Sequence, residues 1–380
     1  MGRIKVFALV EGRIVERLSA RVSGTFIRIH YILKHLKEQE GVELSCIPFE
    51  YRQKFSDGYS RANHAVDLFY HFAVPLLSLL IILLRRPHFV YFSYPNAVYS
   101  NALNVPLLRL AKRMGVKLLM YEHDWAEQGE MRGRSPEEVA PLRELEAELV
   151  RMSDVLVVVS SKYPEYETAL LPGGLEEEEF ADLDYRTRDG RFNIAYVGLL
   201  APDESIDLLV DAAAMLHEKH PCVRLLLFGK IASLDEETLH KIEQSPFITH
   251  RLIPRTELVS HFAEVDVFVY PADPSIPYHY NTRPTKFFEY IGSEIPFIAT
   301  RCDGLKLVSD GKGFLWVEHS AQDFSDKLEY LLQHPEERLR LSRELCELKK
   351  DNTWAKRAQA LRDILVSHLG STAEVQYATD

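Results

Sequence analysis

Apolar and polar positions along the chain fall into two series of short apolar runs, each broken by amphipathic stretches. In the first series, runs of strand length cover residues 4–10, 89–92, 116–121 and 155–159. After the first run comes "TFIRIHYILKHLKEQEG", in which Phe26, Ile29, Leu33 and Leu36 recur at helical spacing before Gly41 ends the pattern. In the second series the runs cover residues 192–197, 223–228, 248–252, 265–270 and 296–300, with helical patterns between them. Near-continuous apolar strands alternating with helices predict parallel sheets covered on both faces.

Between the two series lies "LPGGLEEEEFADLDYRTRDGRF", rich in glycine and acid and without a period, which predicts an interdomain linker. Two Rossmann-like domains facing a cleft are therefore expected, and a length of 380 residues agrees with two cores. The expected division is an N-terminal domain over 1–172, a C-terminal domain over 173–353, a final helix over 354–370 and a disordered tail over 371–380. In open parallel sheets ligands bind beyond the carboxyl ends of the strands. The residues that follow each strand therefore matter most: Glu11 and Gly12, Tyr94, 122–124, Ser160, Gly198, Gly229 and the loop 271–284.

Composition narrows the function classes. A net charge of -11 argues against a general nucleic-acid binder, which would carry a basic stripe. Cys46, Cys222, Cys302 and Cys346 are scattered with no metal-ligand spacing, and are expected as reduced, mostly buried thiols of a cytosolic protein. "MGRIKVFALVEG" runs straight into a strand pattern, so no signal peptide is expected.

One stretch departs from soluble character. "YHFAVPLLSLLIILLRRPHF" holds an apolar run over 73–84 closed by Arg85 and Arg86, shorter than the roughly 20 residues a bilayer span needs. It fits a buried helix of an α/β domain. It also fits a helix lying in a membrane interface, with Arg85, Arg86, Arg109, Lys112 and Arg113 meeting anionic headgroups.

Candidate chemistry is concentrated at strand ends. No GxGxxG follows the first strand and no P-loop exists, so NAD and FAD are not expected. In "VKLLMYEHDWAEQ" a strand delivers Glu122, His123 and Asp124, any of which is placed to take a proton from a substrate hydroxyl; Asp124 fits either a general base or the cap of the next helix. Gly198 and Gly229 each close a strand and permit close approach of a ligand. In "NTRPTKFFEYIGSEIPFIAT", Pro284 is expected at the first position of a helix. A helix N-terminus suits a diphosphate, Lys286 adds a full positive charge, and Glu289 one turn on suits the two hydroxyls of a ribose. The competing reading is a surface pair between Lys286 and Glu289, which are three apart on one helix face.

With these residues in place, the chain resembles GT-B-fold glycosyltransferases of the large group that builds glycolipids and bacterial polysaccharides. The resemblance rests on "VVSSKYPE", "PGGLEEEEF", "YVGLL", "LLLFGK", "VDVFVYPA", "PTKFFEYIGSEIPFIAT" and "NTWAKRAQALRDIL", which occur in the order that the family shows. It implies two Rossmann-like domains and a C-terminal helix that crosses back to the N-terminal domain. It also implies transfer of a sugar from a nucleoside-diphosphate sugar, a UDP-sugar favoured, to a hydroxyl of a lipid-linked or polysaccharide acceptor. The donor side would comprise Lys286, Glu289, Gly198, Gly229, Arg283, Thr285, Asn281 and Tyr280, with Glu289 on the ribose and the "PYHYN" loop choosing the sugar. Gly24 and Glu11 are the candidates on the acceptor side.

Two departures from the family pattern stand out. Many retaining members carry two glutamates eight positions apart, and the first of these positions is Asn281 here. Many also carry an Arg and a Lys after the strand that ends at Gly198, where this chain has Leu199 and the acidic "PDES". The pattern is closer to the membrane-associated glucuronosyltransferases of exopolysaccharide assembly. That likeness implies an inverting, metal-independent reaction with Asp124 as base and no cofactor, at the inner face of the cell membrane, to which the protein would be peripheral. The alternatives are a nucleotide-sugar epimerase of the same fold and a non-catalytic nucleotide-sugar-binding paralogue.

Overall fold

The computed structural model describes residues 3–11, 15–16, 24–47, 61–94, 103–122, 135–159, 165–183, 190–276, 279 and 283–376. The chain divides into two units. The first comprises Met1–Leu18, Val22–Pro172 and Ala355–Asp380, and the second comprises Ser19–Arg21 and Gly173–Trp354.

The first unit runs β1 (Ile4–Glu11), α1 (Gly24–Glu38), β2 (Val42–Ile47), α2 (Arg61–Arg85), β3 (Phe89–Tyr94), α3 (Asn104–Arg113), β4 (Lys117–Glu122), α4 (Pro136–Met152), β5 (Val155–Val158) and β6 (Ala169–Leu170). Its sheet has the order β2-β1-β3-β4-β5-β6, and every pairing is parallel. All six residues of β3 are buried and so are all four of β5, as the continuous apolar runs require of strands covered on both faces. Ser135 and Glu138 close a capping box at the start of α4.

The second unit continues with β7 (Phe192–Val197), α5 (Ile206–Lys219), β8 (Val223–Phe228), α6 (Glu236–Gln244), β9 (Ile248–Arg251), β10 (Val267–Tyr270), α7 (Thr285–Ser293), β11 (Phe297–Thr300), α8 (Asp303–Ser309), β12 (Phe314–Val317), α9 (Ala321–Gln333) and α10 (Pro335–Lys349). Its parallel sheet has the order β12-β11-β10-β7-β8-β9. Counted from β7, this is the 3-2-1-4-5-6 order of a doubly wound sheet, which reverses between β7 and β10. Such a reversal leaves a crevice at the carboxyl ends of those two strands, and ligands of open α/β sheets bind there.

A final helix, α11 (Trp354–Gln376), begins on the buried Trp354 of the second unit and then packs within the first. Ala358, Leu361 and Leu365 are buried, Arg362 Nε donates to Glu40 O at 2.9 Å, and Lys117 Nζ donates to His368 O. Residues 371–376, expected as disordered tail, continue this helix. Ala373, Glu374 and Gln376 are helix formers, and Gly370 costs about 1 kcal/mol without ending the run.

The expected linker is also more structured than its composition suggested. Leu175 N donates to Asn352 O at 2.9 Å and Trp354 N donates to Leu175 O at 3.0 Å, tying the stretch to the second unit. "EEEF" forms a 3-10 turn, Glu177–Phe180, that lays Phe180 against Gly292. A β-carbon at residue 292 would stand 2.5 Å from that ring. Three strands were not predicted, although the third, "FLWV", is an apolar run. β2 alternates Glu43 and Ser45 with apolar residues, β6 has two residues, and β12 is four residues just after Gly311 and Gly313. Of the four free cysteines only Cys302 is buried; the other three are half-buried.

The apolar run over 73–84 lies in α2, and the helix has two different faces. Val74, Ser78 and Ile82, four apart, are buried, while Phe72, Leu76, Leu80, Leu83 and Leu84 are exposed, Leu76 by 70% and Leu84 by 75%. Among the described residues no helix is long and apolar enough to cross a membrane.

Candidate functional site

The second sheet's reversal point is built from glycines, tyrosines and one ion pair. Gly198 follows β7 and Gly229 follows β8, with φ of 147° and 155°. Both lie in the region that favours glycine. Gly198 N donates to Phe228 O at 2.9 Å and Gly229 N to Arg251 O at 3.0 Å, so the strand ends lie side by side. A β-carbon at residue 229 would stand 1.7 Å from Gly198 O, and one at residue 198 would stand 3.0 Å from Lys286 Nζ. Gly229 is thus required by the approach of its neighbouring strand, whereas Gly198 makes room for a lysine head.

That lysine comes from α7, which follows β10. Pro284 caps α7 with φ -63° and ψ 151°, so Thr285 takes the first helical position that was expected for Pro284. The proline's fixed φ serves as well just outside the helix, where its ψ is extended. Lys286 in the first turn sends Nζ back over the sheet, where it lies 4.7 Å from the Tyr196 ring centroid and 5.1 Å from that of Tyr270. It donates to Tyr196 Oη at 3.0 Å and to Glu204 Oε2 at 2.7 Å. Burial pushes the Tyr196 phenol well above its ordinary pKa, with Glu204 adding to the effect, so it stands as a neutral hydroxyl under the ammonium.

Glu289 has a different partner. It lies one turn further on, 7% exposed, with Oε1 at 3.4 Å from Arg255. Arg255 also reaches Glu179 Oε2 at 2.7 Å. Burial raises the Glu289 carboxyl and Arg255 partly offsets the rise. The surface pair of Lys286 with Glu289 is therefore not what the helix makes. Each side chain is largely buried and directed to its own partner, Lys286 to Glu204 and Glu289 to Arg255.

The remaining candidates divide plainly. Arg283 is 1% exposed, and burial lowers its pKa, so its guanidinium belongs to the interior of the unit. Thr285 is partly exposed at the start of α7. Glu122 closes β4, 2% exposed. Gly24 opens α1, and Glu11 closes β1. His123, Asp124, Tyr280 and Asn281 lie outside the described residues. Among the described residues no group of three or more His, Cys, Asp or Glu is disposed to hold a metal ion.

Sequence reasoning did not find Tyr196, Tyr270, Glu204, Arg255 or Glu179. Glu204 left one trace, the acidic "PDES" where a cation was expected. The partners of Lys286 stand 90 and 82 residues away along the chain, which no local pattern reveals.

The two-unit architecture is the GT-B fold. Sucrose-phosphate synthase from Thermosynechococcus elongatus superposes with a TM-score of 0.71 at 15% identity, covering 97% of this chain and 100% of that one. The Anabaena protein HepE in complex with UDP and glucose superposes with a TM-score of 0.65 at 13% identity, covering 96% and 100%. Within that fold, residues 191–334, which include the reversal point, Lys286 and Glu289, match the family described as Glycosyl transferases group 1. D-inositol 3-phosphate glycosyltransferases of Corynebacterium aurimucosum and Pseudarthrobacter chlorophenolicus are 28% and 27% identical over 184 and 190 residues, or 45% and 46% of this chain. The matched stretch spans 42% of each of these relatives.

Proposed function

We propose that this protein is a glycosyltransferase that moves a sugar from a nucleoside-diphosphate sugar to an acceptor hydroxyl. The observation that carries this reading is Lys286. A buried ammonium stands beside a glycine at the reversal point of a doubly wound sheet, inside the stretch that matches the transferase family. The first-turn N–H groups of α7 and the charge of Lys286 would hold the diphosphate, and Glu289 the ribose. UDP is the favoured nucleotide, since HepE, a neighbour in fold, is known in complexes with UDP and with UDP-glucose. Leaving-group charge would be met by these donors, with no metal or other cofactor needed.

In this reading Asp124 takes the proton of the acceptor hydroxyl and the anomeric centre is inverted. The acceptor is a lipid-linked or polysaccharide hydroxyl, and the protein works as a peripheral protein at the inner face of the cell membrane. Support for the membrane comes from the exposed face of α2. Its basic border is thinner than the sequence implied. Arg109 is paired with Glu148 at 2.6 Å, Lys112 with Asp154 at 2.5 Å, and Arg85 with Glu43 at 3.4 Å. Among the described residues Arg86 and Arg113 carry no ion pair, so apolar contact would supply most of the attraction.

Calorimetric titration with UDP, GDP and ADP tests the reading. One nucleotide should bind the wild type, and Lys286→Ala should weaken it by roughly 10- to 100-fold, the worth of a hydrogen bond to a charged group. Equal binding by the variant, or no binding to the wild type, removes Lys286 from the donor site.

A further inference from the structure

Lys286 gives its charge to an anion of its own chain. Its side chain is 9% exposed and that of Glu204 is 16% exposed, so the 2.7 Å pair is screened less than a surface pair. Glu204 is delivered by a 3-10 turn, Pro202–Glu204, just beyond Gly198. The turn is held by Ser205, which adopts a left-handed conformation (φ 50°, ψ 47°) and places Oγ 2.8 Å from His319 Nε2. Asp203, on the same turn, lies 3.8 Å from His279 Nε2. The turn therefore directs Asp203 at His279, ahead of α7, and Glu204 at Lys286 in the first turn of α7. That is where a diphosphate would be gripped.

We infer that Glu204 is the anion that Lys286 exchanges for the diphosphate of the donor, and that it sets how tightly the nucleotide is held. This inference rests on the reading of Lys286 as the phosphate grip. A lysine has three N–H donors and no acceptor. One donor serves the neutral Tyr196 hydroxyl and another serves Glu204. A diphosphate oxygen reaching Nζ meets the Glu204 carboxylate at close range. Either the carboxylate leaves, at the expense of its ion pair, or it stays and repels the phosphate; both outcomes weaken binding. The same competition helps the nucleoside diphosphate depart after transfer. Position 204 thus acts through Lys286, as a positioning residue whose negative charge opposes the ligand.

Calorimetry on the full chain separates this from a purely structural role. Wild type, Glu204→Gln, Lys286→Ala and the double variant are titrated with UDP, GDP, ADP and inorganic pyrophosphate, and melting curves check that each is folded. The amide keeps an acceptor for Nζ and removes the charge. Glu204→Gln should therefore bind the preferred nucleotide about tenfold more tightly than wild type, and pyrophosphate more tightly too. The gain should shrink at high salt. In the double variant the gain should vanish, since its vehicle is Lys286. Glu204→Ala gives the same sign should the amide variant lose its fold. If Glu204→Gln binds no more tightly than wild type while Lys286→Ala loses binding, the competition is refuted and the phosphate grip stands. If no anion binds either wild type or Glu204→Gln, or if Lys286→Ala binds as wild type does, both ideas fall.

Discussion

The two six-stranded sheets share an all-parallel layout and differ in what stands where their strand order reverses. In the first sheet the reversal lies between β1 and β3, which end in Glu11 and Tyr94. Tyr94 is 1% exposed and donates its hydroxyl to Leu142 O at 3.3 Å, so it is used up in packing. In the second sheet the reversal lies between β7 and β10, and there the chain sets a glycine, two tyrosine rings and a buried lysine–glutamate pair. A carboxylate at a strand end suits proton chemistry on an acceptor. A lysine over a glycine suits a phosphate. Similar sheets thus place different chemistry at the same topological point, a strand-end carboxylate in the first and a buried ion pair packed beside a glycine in the second.

The largest expected effect breaks that contrast at the backbone. Gly229 in the second unit and Gly115 in the first both have positive φ, but a β-carbon at residue 115 would meet nothing within 4 Å. Gly115→Ala should cost only the strain of its conformation, about 1 kcal/mol. Gly229→Ala adds a collision with Gly198 O and should cost about 4 kcal/mol, strain and overpacking together. Urea denaturation of both variants measures the difference. Equal losses would mean that the strand ends of β7 and β8 yield easily, and that Gly198 is not rigidly placed beside Lys286.

A smaller effect sharpens the electrostatics of the second unit's candidate site. Burial holds the Glu289 carboxyl above its ordinary value despite Arg255. A carboxyl with a raised folded-state pKa contributes stability that is fully present below the unfolded value of about 4.3, and this contribution is lost as pH rises through the folded value. Wild type should therefore lose stability from about pH 4 toward neutrality relative to Glu289→Gln, whose side chain does not titrate. Denaturation midpoints across that range test the sign. Parallel pH profiles would show that the Arg255 pair cancels the burial.

Much of the fold could be read in advance, because buried parallel strands announce themselves as apolar runs. β7 and β8 were predicted at their observed ends. The polar alternation of β2 and the brevity of β6 concealed those strands, the apolar run of β12 between Gly313 and Glu318 went unpredicted, and "LEEEEF" concealed a turn under its acids. In the candidate site, Lys286, Glu289 and Gly198 were legible as candidates, because their spacing is local to a strand end or a helix start. Glu204 and Arg255 were not legible, since a charged residue's sequence neighbours do not say which distant charge it will face. For Gly229 the structure adds a cause that the sequence did not reveal, the close approach of Gly198 O.

The smallest expected change in stability belongs to the first unit, on the outer face of α2. Every residue of α7 from Lys286 to Ser293 is buried, whereas α2 leaves Phe72, Leu76, Leu80, Leu83 and Leu84 in solvent. Replacing exposed leucines removes no packing, so Leu76→Glu and Leu84→Glu should each alter stability by no more than about 0.5 kcal/mol. If this face rests on a membrane, the same two changes together should abolish sedimentation with vesicles, because each exchanges insertion of an apolar side chain for burial of a charge. Sedimentation with neutral and with anionic vesicles then divides the attraction. Since, of that basic border, Arg86 and Arg113 stand outside ion pairs among the described residues, anionic lipid should strengthen binding modestly, by about 1 kcal/mol per basic residue at most. A protein that ignores both kinds of vesicle, but whose wild type self-associates while the double variant does not, would assign the face to a second copy of the chain instead.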